Sequence, residues 1–230
     1  MHTCACCLPR RAVVAGLTAI VASLGFGLGR ARADSAAPVS RVLTPDQAVA
    51  MLVAGNQRYL SRKPQVCSVD LAALREATAD KQTPFAAVLS CSDSRVPAEL
   101  VFDQTIGDLF VARVAGNIVS ADVIASLEYG AEVLGTRAIM VLGHAKCGAV
   151  KAAIEGKAVP GQISTLFHSL QPAVEAGGRD LTKAIQANAR IQAGLLRDSS
   201  PVLADLIRRK KLVVVAGYYE LVSGRVSVLG

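Results

Sequence analysis

Residues 137–156 read RAIMVLGHAKCGAVKAAIEG, and this stretch indicates the class of fold. The apolar run at residues 138–142 is typical of a buried parallel strand. A helix is predicted directly after it, over residues 146–154, with Gly156 as the residue that closes it. A buried strand that leads at once into a helix is one unit of a parallel α/β sheet.

The same alternation continues along the chain. Core strands are predicted at the apolar runs of residues 85–90, 108–113, 137–142 and 211–216, and a short final strand at residues 225–229. Helices are predicted at residues 45–59, 71–79, 120–134, 146–154, 163–174 and 181–196, with a further short helix opened by Pro201. The sequence therefore predicts an α/β fold: an open, mostly parallel sheet of four core strands plus a short, antiparallel edge strand, with helices on both faces.

A second motif follows another predicted strand. Residues 85–95 read FAAVLSCSDSR, so Cys91 comes directly after an apolar run. His144 likewise follows the apolar run at residues 138–142, one residue further on, after Gly143. In open α/β sheets, ligands bind beyond the carboxyl ends of the strands. Cys91, His144 and Cys147 are therefore expected to meet there, with His144 and Cys147 separated by one turn of helix.

Two thiolates and one imidazole make a three-ligand zinc site. Three protein ligands leave one coordination position free, which is typical of catalytic rather than structural zinc. Each half of the pattern is weak alone, because a buried cysteine is usually a small apolar residue and a lone histidine a hydrogen-bonded one. The combination, in a chain with only three histidines, favours a zinc enzyme.

The motifs Cys-Ser-Asp-Ser-Arg at residues 91–95 and Gly-His-x-x-Cys-Gly at residues 143–148 resemble those of the β-class carbonic anhydrases. Other similar blocks lie at residues 52–59, 102–117, 126–129 and 215–226. The resemblance implies a β-carbonic-anhydrase-like fold. It also implies the carbonate dehydratase reaction of a lyase, the reversible hydration of carbon dioxide to bicarbonate and a proton.

The resemblance assigns roles at the metal. Cys91, His144 and Cys147 would ligate one Zn²⁺ per chain. Asp93 and Arg95 would be the catalytic pair that orients and gates a zinc hydroxide, although a structural salt bridge is the alternative for this pair. Zinc lowers the pKa of bound water from 15.7 to about 7, so hydroxide would be the nucleophile at neutral pH.

The resemblance also places three residues at the substrate. Gln82, nine residues before the first cysteine of the site, would supply an amide, and Phe110 and Tyr129 would line a pocket shared across a dimer interface. A homodimer or tetramer is implied. The chain has no Trp, which argues against the second bicarbonate site of some family members. No histidine is placed as a proton shuttle, since His168 is predicted in a distant helical segment.

Two other functions remain open. One is hydrolysis of carbon disulfide or carbonyl sulfide on the same scaffold, which pocket access would decide. The other is a zinc-binding protein without turnover. Asp93 and Arg95 argue against this second alternative, because a storage or structural site does not need them.

The first 33 residues are predicted to be an export signal. Arg10 and Arg11 form a paired-arginine region, residues 12–29 are moderately apolar, and residues 31–33 read Ala-Arg-Ala, a signal-cleavage pattern. The segment resembles a twin-arginine signal. Transport by the twin-arginine translocation machinery, cleavage after Ala33 and a periplasmic protein are expected. An uncleaved membrane anchor is the alternative.

The rest of the chain is predicted to be a linker at residues 34–43 and a single catalytic zinc domain at residues 44–230. The sequence is 52% hydrophobic but only 4% aromatic, which argues against a stacking surface for nucleic acid. The signal carries four of the 25 basic residues and no acidic residue, so 21 basic residues remain against 18 acidic ones. Such a mild excess requires no polyanionic partner. Cys67 has no predicted partner.

Overall fold

The computed structural model describes residues 43–230. Within this part of the chain, five strands form one sheet in the order β2-β1-β3-β4-β5. The strands are β1 (Ala86–Ser90), β2 (Leu109–Arg113), β3 (Ala138–His144), β4 (Val213–Tyr219) and β5 (Val226–Leu229). The first four are mutually parallel and β5 pairs antiparallel with β4 at the edge. The predicted fold class is confirmed.

Eight α-helices in residues 43–230 connect and cover these strands. They are α1 (Pro45–Leu60), α2 (Leu71–Thr78), α3 (Ala98–Val101), α4 (Ala121–Glu128), α5 (Gly148–Glu155), α6 (Thr165–Gly177), α7 (Leu181–Ser199) and α8 (Pro201–Arg208). The single helix predicted over residues 120–134 is wrong in detail, because α4 ends at Glu128 and Tyr129–Val133 forms a π-helical turn. A Cβ atom on Gly130 would lie 3.1 Å from the Phe110 ring, so this wider turn lies directly against β2.

Alternate residues of the central strands contact helices on opposite faces of the sheet, because successive side chains of a strand point to opposite faces. Leu89 and Val141 belong to a core cluster with residues of α4, α7 and α8. Val88 and Met140 belong to a second cluster with residues of α1 and α3. Every residue of β1 and β3 is buried, which explains why these strands read as continuous apolar runs.

Helix α1 begins and packs as its sequence dictates. Thr44 and Gln47 form a reciprocal capping box, and Pro45 occupies the first helical position. Halfway along the helix, a Cβ atom on Gly55 would stand 1.7 Å from the carbonyl oxygen of Phe102. The helix therefore needs glycine at this position to reach its place against α3.

Replacing Gly55 by alanine should destabilise the fold by about 3 kcal/mol or more, since backbone atoms would have to move to accept the methyl group. For a domain of this size, the thermal midpoint should fall by roughly 10 °C. Gly194→Ala is the matched control, because a Cβ there meets nothing nearer than Arg197 at 3.8 Å. It should stabilise α7 by up to about 1 kcal/mol. Equal midpoints for the two variants would contradict the proposed contact.

No helix among residues 43–230 is long and apolar enough to span a membrane. The predicted export signal, its cleavage site and the alternative membrane anchor all lie outside the described residues.

Candidate metal centre and active site

The three predicted ligands meet where β1 and β3, neighbours in the sheet, end side by side. Cys91 follows the last residue of β1, His144 is the last residue of β3, and Cys147 is the N-cap of α5. Their ligand atoms, two sulfurs and an imidazole nitrogen, all lie within 4.8 Å of one another, and all three residues are buried. The sequence prediction that they come together is confirmed.

The predicted helical turn between His144 and Cys147 is wrong. Pairing of His144 with Tyr219 of β4 keeps the histidine in extended backbone, so the chain must reverse direction within two residues. Lys146 makes that reversal in a left-handed conformation, with φ of 54°. This conformation is uncommon for a residue with a side chain. It returns Cys147 to the strand end at the start of α5.

The imidazole of His144 is prepared to bind a metal. Its Nδ1 lies 2.9 Å from the carbonyl oxygen of Ala145, so this nitrogen carries the proton and donates it. In the neutral imidazole, Nε2 is then the acceptor nitrogen, and it is fully buried without a hydrogen-bond partner. A buried acceptor with no hydrogen-bond partner, beside two sulfurs, is suited to ligate a metal ion. The donor set fits Zn²⁺, which prefers this combination of sulfur and nitrogen.

The two thiols differ in acidity because they share a proton. Hydrogen bonding from Cys147 and from the Gly116 N–H lowers the pKa of Cys91 to about 4 against the effect of burial. The same shared proton and burial raise the pKa of Cys147, while the N–H groups of Val150 and Ala149 in α5 act in the opposite direction. Bound zinc favours the thiolate form of both residues.

Asp93 and Arg95 form the predicted pair beside the ligands. Arg95 donates from Nε to Oδ1 of Asp93 at 2.9 Å and from Nη2 to Oδ2 at 2.7 Å, and its backbone N–H also donates to Oδ1. The hydrogen bonds from the Arg95 side chain, and to a smaller extent the one from its backbone N–H, hold the pKa of Asp93 well below its usual range. Oδ2 of Asp93 lies 3.8 Å from Nε2 of His144. The result is an ionised carboxylate next to the metal position.

Sequence reasoning missed the residue that holds this loop in place. Arg113, at the end of β2, donates to the carbonyl oxygens of Cys91 at 3.1 Å and Asp93 at 2.7 Å. Arg95 in turn reaches the carbonyl oxygen of Lys146 at 3.3 Å and so connects the two halves of the site. A cation as the last residue of an apolar strand was the available signal for Arg113, and it did not show which groups the cation contacts.

Comparison with known proteins agrees with this geometry. Residues 86–226 match the protein family described as carbonic anhydrase. Carbonic anhydrase 2 of Mycobacterium tuberculosis is 35% identical over 179 residues, which are 74% of this chain and 86% of the relative. This chain belongs to the carbonic anhydrase family.

Solved structures give the class of carbonic anhydrase. The β-carbonic anhydrase CcaA is 26% identical with a TM-score of 0.64, and the match covers 79% of this chain and 87% of that one. A tetrameric β-carbonic anhydrase of Sordaria macrospora shares the fold at 22% identity, with a TM-score of 0.65 over 80% of this chain and 98% of that one. The fold is that of the β class.

The three residues predicted to bind substrate in a carbonic anhydrase lie at the surface or near it. Gln82 is exposed, Phe110 is half-buried and Tyr129 is 49% exposed. The rings of Phe110 and Tyr129 have centroids 6.3 Å apart and are tilted by 45°. The two aromatic residues are thus brought together, while the substrate-binding roles of all three remain predictions.

Neither remaining candidate joins the site of this carbonic anhydrase. His168 is exposed on α6, and Cys67 is an exposed free thiol in a short 3₁₀ turn, Val66–Ser68. Arg208 and Arg209 pair with Asp205 at the end of α8, as expected for a solvated helix end.

Proposed function

We propose that this chain catalyses the reversible hydration of carbon dioxide to bicarbonate and a proton, with one zinc ion per chain held by Cys91, His144 and Cys147. One observation carries the proposal. The orphaned Nε2 of His144 faces two sulfurs beside a carboxylate that is already ionised and oriented. When bound there, zinc would supply a Lewis acid and a water-derived nucleophile at neutral pH.

The chain's own residues orient and protect the reacting groups. Arg95 occupies both carboxylate oxygens of Asp93 with charge-assisted hydrogen bonds, which keeps the carboxylate away from the ligand position. Asp93 remains ionised at neutral pH and can accept one hydrogen bond from the attacking group. That bond would turn a lone pair of the nucleophile towards the carbon atom of the substrate.

Substrate binding needs little from the protein, because carbon dioxide is small and apolar. We propose that Phe110 and Tyr129 provide apolar surface and that Gln82 provides an amide donor. All three are accessible in the single chain, which agrees with a pocket completed by a second subunit.

The experiment that tests this function compares substrates on the zinc-loaded protein. We expect the kcat/KM for carbon dioxide hydration, measured as acidification in a stopped-flow instrument, to exceed the kcat/KM for hydrolysis of carbonyl sulfide and carbon disulfide by orders of magnitude. The reverse order would assign the scaffold to the sulfur analogues. Zinc binding with no turnover of any of the three would leave only a zinc-binding protein.

We further propose that the chain forms at least a homodimer, and either a dimer or a tetramer. Several large apolar side chains are exposed in the single chain, among them Leu100, Ile106, Tyr129 and Val133. Burial of such surface between subunits would be favourable. Light scattering should give at least twice the monomer mass at assay concentration, and an active monomer would refute the proposal.

We also propose export through the twin-arginine route, with cleavage after Ala33, a linker at residues 34–43 and a soluble periplasmic domain from residue 44. Paired Arg10 and Arg11 and the Ala-Arg-Ala sequence support it. Replacing both arginines by lysine should leave folded, active enzyme in the cytoplasm with an uncleaved N-terminus. Cell fractionation and N-terminal sequencing test this, and activity that stays with salt-washed membranes would favour the anchor.

A further inference from the structure

Helix α7 carries two amide side chains inside its buried face. Asn188 is 1% exposed and Gln192 is fully buried, although the neighbouring buried positions hold small or apolar residues. Burial of an amide is unfavourable unless its hydrogen bonds are made. These two amides make theirs with each other and with backbone groups of other elements.

Both amides hold the turn that follows β2. Nδ2 of Asn188 donates to the carbonyl oxygen of Gly116 at 2.8 Å. Oε1 of Gln192 accepts from the N–H of Val119 at 2.7 Å. Gln192 also donates to Oδ1 of Asn188 at 3.2 Å, which fixes the orientation of the Asn188 amide.

The held turn has an uncommon backbone. Gly116 and Asn117 are both left-handed, with φ of 76° and 44°. For Asn117, which has a side chain, such a conformation is unfavourable and persists only where the surroundings enforce it. The Asn188 hydrogen bond to the peptide between these two residues is such an enforcing contact.

This turn reaches the metal ligands directly. The N–H of Gly116 donates to Sγ of Cys91 at 3.3 Å. Sulfur accepts few hydrogen bonds in a buried site, and each one withdraws electron density from it. An N–H that donates to a ligand sulfur therefore lowers the electron density on that sulfur and fixes the direction in which the sulfur faces the metal.

We infer that Asn188 is a positioning residue of the zinc site, which aims the Gly116 N–H at the Cys91 sulfur by holding the Gly116–Asn117 peptide. The side chain acts through Gly116, whose carbonyl oxygen it holds and whose N–H reaches the Cys91 sulfur. The inference rests on the proposed zinc site and adds a residue from α7, an element that contributes no ligand.

The test replaces Asn188 by leucine, a side chain of similar size that cannot hold the peptide. We expect the dissociation constant for zinc, measured by chelator competition, to rise by about 10- to 100-fold. In the cobalt-substituted protein, the sulfur-to-cobalt charge-transfer band should move to longer wavelength, because the sulfur has lost a hydrogen bond. If the leucine variant does not fold, Asn188→Ala removes the same hydrogen bond, and both quantities are measured on it.

Asn56 provides the matched control. It is equally buried, lies in α1, and likewise anchors backbone groups, those of Val101, Gly224 and Val226. Asn56 makes no hydrogen bond to the Gly116–Asn117 turn that reaches Cys91. Asn56→Leu should lose thermal stability but keep the zinc affinity and the cobalt spectrum.

Wild-type values for both readouts in the folded Asn188 variant would overturn the inference and make Asn188 a structural anchor only. An equal change in Asn56→Leu would also overturn it. A wild-type protein that binds neither zinc nor cobalt would instead refute the proposed zinc site itself, so the two failures are distinguishable.

Discussion

A Cys147→Ser, His144→Ala double variant should purify without stoichiometric zinc and should lose carbon dioxide hydration by about 10³-fold or more. Two of three ligands are then gone, and the Lewis acid accounts for several kcal/mol of transition-state stabilisation. Metal analysis and stopped-flow rates on the same preparation measure both effects. Circular dichroism should show that the α/β fold remains, because Cys147 belongs to a smaller cluster beside α5 and α6, and the two clusters on the faces of the sheet include neither substituted residue.

The chain offers a control with the same two substitutions. Cys67→Ser with His168→Ala changes one cysteine and one histidine that are both exposed and outside the cluster. This variant should retain one zinc per chain. If the Cys147–His144 variant also retained stoichiometric zinc, the ligand assignment would be wrong.

Arg95→Ala should keep its zinc and lose most activity across neutral pH, by about 10²-fold. Without Arg95, the Asp93 carboxylate loses both side-chain hydrogen bonds that hold it. Its Oδ2 already lies 3.8 Å from Nε2 of His144, so a small rotation brings it onto the metal position. The pKa of Asp93 should rise towards its ordinary value of about 3.9, which leaves the group ionised at pH 7. Protonation of Asp93 therefore cannot explain the loss at neutral pH.

Asp93→Ala should behave differently from Arg95→Ala. It leaves the metal position open but removes the acceptor that orients the nucleophile, so part of the activity should persist. Arg209→Ala, which breaks an exposed ion pair with Asp205, is the control for loss of an arginine and should have wild-type turnover. Full pH–rate profiles, with zinc content checked in each variant, compare the four proteins. Near wild-type turnover in Arg95→Ala would mean that its pair with Asp93 is only structural.

The central strands could be predicted from the sequence because burial on both faces leaves an unmistakable apolar run. The positions at which these strands end were harder to predict. β3 extends through Gly143 and His144, and β4 through Tyr219, because the two strands pair there residue by residue. The ladder hydrogen bonds, rather than side-chain hydrophobicity, keep these residues extended. Similarly, the π-helical turn Tyr129–Val133 packs against the Phe110 ring at Gly130, a tertiary contact that helical periodicity does not encode.

The ligands could be predicted because they are rare residue types at strand ends. Their supporting groups could not, since these are mostly backbone atoms brought in from elsewhere in the chain. The carbonyl oxygen of Ala145 selects the histidine tautomer, and the N–H of Gly116 reaches Cys91. The left-handed backbone of Lys146 could not be predicted either, because the spacing of His144 and Cys147 suits a helical turn equally well. Residue types identify the ligands, whereas backbone geometry determines their arrangement.

Titration of the metal-free protein with zinc, while the initial rate of carbon dioxide hydration is followed, tests the central claim most directly. The Cys91, His144 and Cys147 site predicts a rate that rises in proportion to added zinc and reaches its plateau at one equivalent per chain. The double ligand variant should show no rise. Hydration that is absent at full zinc occupancy, or equally fast without zinc, would contradict the account.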